Sequence, residues 1–423
     1  MDNIPSANKE DWMIADLHIH SRFSRACSKN IDFPNLEKWA RIKGIDLLGT
    51  GDFTHPVWFN EIKERLKGNG KGLYYFSEEN DGKRFPFIIT GEISLIYTQE
   101  KGRKIHLVLL IPSIEIAEKV NSYLDSKGRR DYDGRPIFGI HADGFTRDMM
   151  RISKDIEIIP AHAWTPYFGV FGSMSGFDSL KECFREEFKN IHSIETGMSS
   201  DPEMNWRISE LNGKAIVSFS DSHSFWPFRL GREATIFKKT DSYMEIIRQI
   251  RENDFIATIE TDPAYGKYHF DGHRNCSFSC SPEKTKELNG ICPVCKSPLT
   301  IGVESRVESL ANNPQGFKPK NAKPFYKLLP LHEVIGLSIG SKMDSKKTWA
   351  VYDFLIKEFD SEFEILLHAS KEELLSKNVD DKLADLILKN REGRIKVKPG
   401  FDGEYGMAVV ENTGKKEKQR TLF

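Results

Sequence analysis

Seven short apolar, β-branched runs recur through the first 262 residues, and nearly all of them end in ionisable residues: MIADLHIH (13–20), IDLLGTGD (45–52), PFIITGEIS (86–94), KIHLVLLIP (104–112), IEIIPAHA (156–163), HSIETG (192–197) and AIVSFSDSH (215–223). Stretches of helical periodicity usually follow them. Strands that read as continuous apolar runs are buried on both faces, and strand–helix alternation predicts parallel pairing through right-handed crossovers. Such a chain closes into a barrel or stays an open doubly wound sheet. Polar residues at the strand ends favour an α/β barrel of seven strands with its site at the C-terminal face. His106 is the exception, because it falls near the start of its run. One helix is predicted from Pro202, with Ser200 or Asp201 as N-cap and Gly213 as stop.

Carboxylates and imidazoles delivered by successive strand ends are what a multinuclear metal centre needs, since hard oxygen and borderline nitrogen ligands must converge with positions left open for water and substrate. His18 and His20 alternate along one strand and point to one face; Asp221 and His223 repeat that spacing. Taken singly, each such residue reads more simply as a hydrogen-bonded core side chain. The set His18, His20, Asp52, Glu92, His106, His162, Glu195, Asp221 and His223 outweighs that reading and predicts metal ligation.

A chain of 423 residues suits two or three domains. The expected division is a catalytic barrel over 1–262, a zinc module and basic linker over 263–330, a helical DNA-binding region over 331–390, a small β element over 391–412 and a flexible tail over 413–423. Cys276-x3-Cys280-x11-Cys292-x2-Cys295 has the paired spacings of a tetrahedral structural zinc site, leaving Cys27 and Cys183 single. His269 and His273 lie close enough to compete for a position, but four cysteines already complete the coordination. Two disulfides are disfavoured in a reducing compartment, and a redox CxxC lacks its βαβ context. No run reaches the roughly 18 apolar residues of a membrane span and MDNIPSANKEDW lacks a leader pattern, so a cytoplasmic protein without membrane contact is expected.

The formal net charge of −1 is uninformative about nucleic acid, so only local asymmetry speaks. Lys318, Lys320, Lys323, Lys327, Lys342, Lys346 and Lys347 face only Glu333 and Asp344 between residues 311 and 350, and Lys389, Arg391, Arg394, Lys396 and Lys398 face Glu392. With Arg129, Arg130 and Arg135 of KGRRDYDGRP and Arg229 and Arg232 after SDSH, these are candidate phosphate contacts. Trp164, Tyr167, Phe168, Phe171, Phe225, Trp226 and Phe228 crowd beside the motifs and are candidate wedges for an everted base, although any one is more simply core. The end of the chain, QRTLF, is similar to short peptides that dock on sliding clamps, with Leu422 and Phe423 as anchors and Gln419 fixing register.

In order, DLHIHS, GTGD, GEIS, the histidine of KIHLVLL, PAHAW and SDSH resemble the motifs of the PHP (polymerase and histidinol phosphatase) superfamily, over about residues 13 to 235. ADLHIHSRFSRACSKN, KGIDLLGTGD, SSDPEMNWR, SFSDSHS, YHFDGHRNC and VKPGFDGEYG resemble the endonuclease Q family over nearly the whole chain. The first resemblance implies a distorted seven-stranded barrel with two or three divalent ions (Zn2+, Mg2+ or Mn2+). His18, His20, Glu92 and Asp221 would hold one ion, with Glu92 bridging to a second on His106 and His162, and His223 would serve a third; His18, His20, Glu92, Asp221 and His223 would be the catalytic set. Many members carry a further histidine after HxH and a TDH motif. Here SRFSRAC and GDFTH stand instead, displacing the histidine to His55, so the third site and the roles of Asp52, His55 and Glu195 (metal ligand, orienting group or substrate contact) stay open. The second resemblance implies an endonuclease that nicks DNA 5′ to deaminated bases (uracil, hypoxanthine, xanthine) and abasic sites, leaving 3′-OH and 5′-phosphate ends. A small-molecule phosphatase of the same superfamily is the alternative, though a zinc module and basic helices have no obvious use on a small ester. A non-catalytic DNA-binding scaffold is the other, and the near-complete ligand set argues against it.

Overall fold

The HxH run is regular strand only in its first half: Trp12–Asp16 (β1) pairs in parallel with Leu47–Gly49 (β2), Ala15 opposite Leu47. The structure is a computed structural model that describes residues 9–76 and 84–409, so the expected clamp peptide Gln419, Leu422 and Phe423 lies outside the described residues. β2 continues in parallel onto the long strand Pro86–Gln99 (β3), Leu48 opposite Phe87. From there the pairing departs from the sequence expectation. Lys101–Ile111 (β4) is antiparallel to β3 over its whole length, Ile89 facing Ile111 and Gln99 facing Lys101, and Glu157–Pro160 (β5) is antiparallel to β4.

The reason is local. TQEKGR, too polar to read as buried strand, forms the turn of one long hairpin with only Glu100 (φ 61°) between its strands, so no crossover helix is needed. The reversal also explains His106. Running backwards along β3, the start of β4 lies at the ligand end, with His106 opposite Ser94 and Val108 opposite Glu92.

Ser193–Glu195 (β6) and Ala215–Val217 (β7) pair in parallel as a separate ribbon. Ala163 N–H donates to Glu195 O (2.9 Å) on one side of it, and His20 N–H donates to Ser222 O (2.9 Å) on the other. Ala234–Lys238 (β8) is antiparallel to β1, Ala257–Glu260 (β9) antiparallel to β8, and Phe325–Lys327 (β10) parallel to β9. With two short strands at the other edge, Leu66–Gly68 and Tyr74–Phe76, the main sheet is mixed rather than parallel.

Alternate residues of single strands feed two apolar clusters, which is what both-face burial requires. Met13, Ala15, Leu17, Ile88, Val108, Leu110 and Ile159 pack with Ile246, Ile247 and Ile250 of helix Tyr243–Arg251. Ile14, Leu48, Ile89, Leu107, Leu109 and Ile158 pack into the larger cluster with the outer helices. The helix expected from Pro202 is shorter than its pattern: Asp201, not Ser200, caps Pro202–Trp206, and a separate single turn, Ser209–Leu211, follows.

Beyond residue 262, a hairpin pairs Asp271–His273 with Phe278–Cys280; helices Pro282–Glu287 and Val303–Leu310 follow, and then helices Leu331–Ile339, Lys346–Phe359, Lys371–Ser376 and Asp381–Arg391 precede a second hairpin, Lys396–Lys398 with Met407–Val409. These helices are tied to the N-terminal part by buried charges. Lys43 Nζ lies 2.7 Å from Glu362 Oε1, both side chains almost fully buried, and Glu362 also accepts from Leu331 N–H and Tyr352 Oη–H. Arg232 pairs with Glu333 at 3.1 Å. Removing one partner of such a pair leaves a buried charge uncompensated, at a cost of about 3–5 kcal/mol. Among the described residues no helix is long and apolar enough to cross a membrane.

Candidate metal centre

His18 and His20 leave the end of β1 on one face, while Leu17 before them and Ile19 between them enter the core. Each imidazole is gripped from behind through Nδ1: His18 by Glu195 Oε1 (2.9 Å), His20 by Asp52 Oδ1 (2.9 Å). Asp52 is itself fixed by Ser21, whose N–H and hydroxyl each donate at 2.6 Å, and by the Ser24 hydroxyl at 2.9 Å. Glu195 also accepts from His162 N–H (2.7 Å). The two Nε2 atoms are thereby aimed at Glu92 and Asp221: His20 Nε2 stands 3.3 Å from Glu92 Oε2 and 3.0 Å from Asp221 Oδ1, and His18 Nε2 stands 3.7 and 3.5 Å from the same atoms. His18 Nε2, His20 Nε2 and Asp221 Oδ1 are buried without a hydrogen-bond partner. Converging ligand atoms with no donor between them are what a bound cation satisfies.

The other oxygen of Glu92 faces a second group. His106 Nδ1 lies 2.7 Å from Glu92 Oε1, His162 Nε2 3.1 Å from it, and the two ring nitrogens are 3.3 Å apart. Thr165 Oγ1, 2.9 Å from His162 Nδ1, holds the back of that ring. Within each set, His18/His20/Glu92/Asp221 and Glu92/His106/His162, the ligating atoms lie within 4.8 Å of one another, and Glu92 belongs to both. Burial opposes charge on Glu92, yet His106, Arg135 and His18 around it hold its pKa well below the carboxylate range; burial pushes His106 down to about 4, leaving its imidazole neutral and able to ligate.

Asp52, His162 and Asp221 all have positive φ (43°, 31° and 49°), a region costly for residues with a Cβ. Strand ends that turn this sharply aim their side chains inward, and such strain persists only where the surroundings over-determine it. At Gly197 (φ +54°) a Cβ would fall 2.5 Å from the Cβ of His162, and at Gly134 it would collide with the Asp52 carboxylate.

Asp52 and Glu195, expected among the ligands, therefore lie behind the imidazoles rather than inside either converging set. His223 also stands outside: its ring packs 4.6 Å from that of His20 and its Nδ1 is 2.8 Å from Asp221 O. His55 caps a helix and stacks on Phe23 at 4.2 Å. The supporting Ser21, Ser24 and Thr165 escaped sequence reasoning, although their hydroxyls one to four residues from the motif histidines were the available signal.

Of the basic candidates, Arg135 enters the site, with Nη1 2.9 Å from Glu92 Oε2. Arg232 does not, because it is 5% exposed and spent on Glu333, and Arg130 is held by Asp125 and Thr54 O. Arg129 pairs with Asp131 at the surface, and Arg229 is half-buried. Lys318, Lys320, Lys346 and Lys347 are at least partly exposed, the last two opening helix Lys346–Phe359, where the helix dipole disfavours cations. Of the aromatic candidates, Trp164, Phe171 and Phe225 are core, whereas Tyr167 (48% exposed) and Trp226 (38%) are open to solvent.

In the cysteine module, the converging atoms belong to His273, Cys276, Cys292 and Cys295, within 4.8 Å of one another. His273 Nδ1 lies 3.2 Å from Cys276 Sγ and 3.1 Å from Cys295 Sγ. Cys280, opposite Asp271 and further along the hairpin, has its Sγ 3.3 Å from Thr285 Oγ1. Three of the four expected cysteines thus converge with His273, and Cys280 stands outside that set: His273-x2-Cys276 and Cys292-x2-Cys295 have matching spacings that let each short turn offer two atoms to one tetrahedral point. Hydrogen bonds from Ser297 draw the Cys295 thiol down to about 6, toward the thiolate a metal requires.

Comparison with known proteins finds similar chains. Residues 330–394 match a family described as the MJ0043 C-terminal domain. The uncharacterized protein MJ0043 of Methanocaldococcus jannaschii is 35% identical over 251 residues, which are 58% of this chain and 31% of that protein, so the match spans about a third of that relative's length. The uncharacterized protein YqxK of Bacillus subtilis is 27% identical over 411 residues, 93% of this chain and 98% of that protein. Among solved structures, the lesion-specific endonuclease PfuEndoQ from Pyrococcus furiosus superposes with a TM-score of 0.84 at 29% identity, over 95% of this chain and 96% of that one. Endonuclease Q in complex with a 27-mer duplex substrate carrying an abasic lesion at the active site superposes with a TM-score of 0.82 at 29% identity, over 95% and 97% of the two chains. Over almost its whole length, the chain is an endonuclease Q-like protein.

Proposed function

We propose that this protein is a metal-dependent DNA repair endonuclease that nicks 5′ to deaminated bases (uracil, hypoxanthine, xanthine) and abasic sites, leaving 3′-OH and 5′-phosphate ends. The observation that carries the reading is the pair of ligand sets sharing Glu92, in a chain that matches endonuclease Q end to end. A distorted seven-stranded PHP barrel of β1 to β7 is supported by the hydrogen bonds that join the β6–β7 ribbon to Ala163 on one side and His20 on the other.

Divalent ions bound there would stabilise charge on the phosphate and leaving oxygens and make water nucleophilic near neutral pH. His18, His20 and Asp221 would hold one ion and His106 and His162 the other, with Glu92 between them. Asp52 and Glu195 fix the tautomers of His20 and His18 so that Nε2 faces the centre. Arg135, within reach of Glu92, is the cation poised to meet a non-bridging phosphate oxygen. One structural Zn2+ on the cysteine module, Lys318, Lys320, Lys346 and Lys347 on flanking phosphates, and a sliding clamp on the terminal QRTLF complete the reading.

The test is incubation of the full chain with end-labelled duplexes carrying one uracil, hypoxanthine or abasic site and Mg2+, Mn2+ or Zn2+. A single nick 5′ to the lesion, absent from the undamaged duplex, is the expected result. Hydrolysis of small phosphate monoesters without nicking would instead make the chain a small-molecule phosphatase.

A further inference from the structure

Beside the metal centre runs an open cleft of about 540 Å3, a volume that encloses drug-sized groups elsewhere. One wall is the loop that follows His20, and Ser28 N–H in it donates to His223 O (3.1 Å). Another comprises Phe225 and Trp226, two and three residues after His223, and the rest comes from helices Phe33–Lys43 and Pro56–Arg65. The cleft therefore starts at the segments that carry His20 and His223, whose ring packs on that of His20.

Its charges are unbalanced in one direction. Of the two carboxylates lining it, Asp32 is committed to capping helix Phe33–Lys43 (Asn35 N–H donates at 2.9 Å) and Glu61 to an ion pair with Arg22. Lys29, Lys38 and Arg65 are exposed and make no ion pair with a described residue. Neighbouring surface cations on the same helices are otherwise matched, Arg41 to Glu37 and Lys63 to Glu118. The same cleft has an aromatic wall. Trp226 is 38% exposed and is held edge-on against Trp39 (5.1 Å) and Trp349 (5.4 Å), while Lys38 Nζ sits 5.3 Å from the Trp39 ring. A large rigid aromatic exposed among such cations combines a stacking platform with phosphate contacts, the pairing of features that binds single-stranded nucleic acid.

The geometry points to this cleft as a single-strand subsite: Lys29, Lys38 and Arg65 hold phosphates, and Trp226 stacks an unpaired base, of the strand that continues from the metal centre. The inference rests on the nuclease reading for its substrate, but its test needs no cleavage. Without added divalent metal, binding of a labelled, undamaged oligothymidylate to the full chain is measured by anisotropy across a salt series. The variant Lys29→Glu/Lys38→Glu/Arg65→Glu is expected to bind at least tenfold more weakly and to lose about 2 units of slope in log K against log salt, from three contacts at about 0.7 each. All three side chains are exposed, and an unchanged melting temperature checks the fold. Trp226→Ala is expected to weaken binding of oligothymidylate but not of an abasic oligonucleotide of equal length.

Wild-type affinity and slope in the triple variant overturn the subsite, and equal losses for both oligonucleotides in Trp226→Ala overturn the stacking role. The two readings fail separately. A chain that binds single strands through the cleft yet nicks no lesion keeps the subsite and loses the nuclease, whereas unimpaired single-strand binding in the triple variant of a lesion-nicking chain does the reverse.

Discussion

At the scale of single residues, the centre divides into atoms that converge and atoms that hold them. His20, Glu92 and Asp221 contribute converging atoms, so replacing any of them with Ala is expected to lower nicking by roughly a thousandfold or more while the fold persists. Asp52 and Glu195 act through an imidazole. Asp52→Asn and Glu195→Gln are expected to cost about 10- to 100-fold in metal affinity or activity, with excess metal recovering part of the loss. Metal titrations on both classes of variant check the division, and equal losses in both would erase it. The zinc module makes a sharper distinction: His273→Ala and Cys292→Ser are expected to release the ion, and Cys280→Ser to retain it. Zinc analysis of the purified variants decides, and loss in Cys280→Ser would restore the four-cysteine set. The converging residues were legible because strand ends and i, i+2 spacing leave a sequence signature. Their division was not, because whether a carboxylate meets the ion or the far nitrogen of an imidazole depends on side-chain rotamers, and His273 was passed over because four cysteines already looked complete.

At the scale of elements, the buried strands were legible in the sequence, since a short, continuous apolar run between polar segments is most readily buried as a strand covered on both faces. The way some of them pair was not. The β3–β4 hairpin hid in TQEKGR, and β10 hid because its three residues, Phe325–Lys327, are too few for periodicity to register. One cross-strand consequence is testable. The register of β8 on β9, with Ala234 facing Ile259, brings Glu233 opposite Glu260, both fully buried. Burial pushes Glu260 up to about 8, and burial together with the Glu260 charge raises Glu233 well above its ordinary value. For acids whose folded pKa is raised, stability is fully present below the unfolded pKa near 4.5 and is lost as pH climbs towards the folded value. Glu260→Gln, which mimics the protonated acid, is therefore expected to leave the melting temperature nearly unchanged at pH 5 and to raise it by a few degrees, about 1 kcal/mol or more, at pH 8. Thermal melts at the two pH values check this, and equal shifts at both would contradict it.

At the scale of the whole molecule, the N-terminal part that carries the candidate metal centre and the C-terminal helical part are joined by buried charge, Lys43 to Glu362 and Arg232 to Glu333. No composition or charge count foretells such pairs, because each joins residues far apart in sequence. Glu92, the carboxylate common to both candidate ion sites, is the residue on which the metal centre turns. Element-specific anomalous diffraction from crystals of the full chain soaked in Mn2+ tests its role most directly. Two peaks are predicted, one against His18, His20 and Asp221 and the other against His106 and His162, both touching Glu92, and crystals of Glu92→Ala are predicted to keep at most one of them. A single peak away from Glu92, or none among these residues, would contradict it.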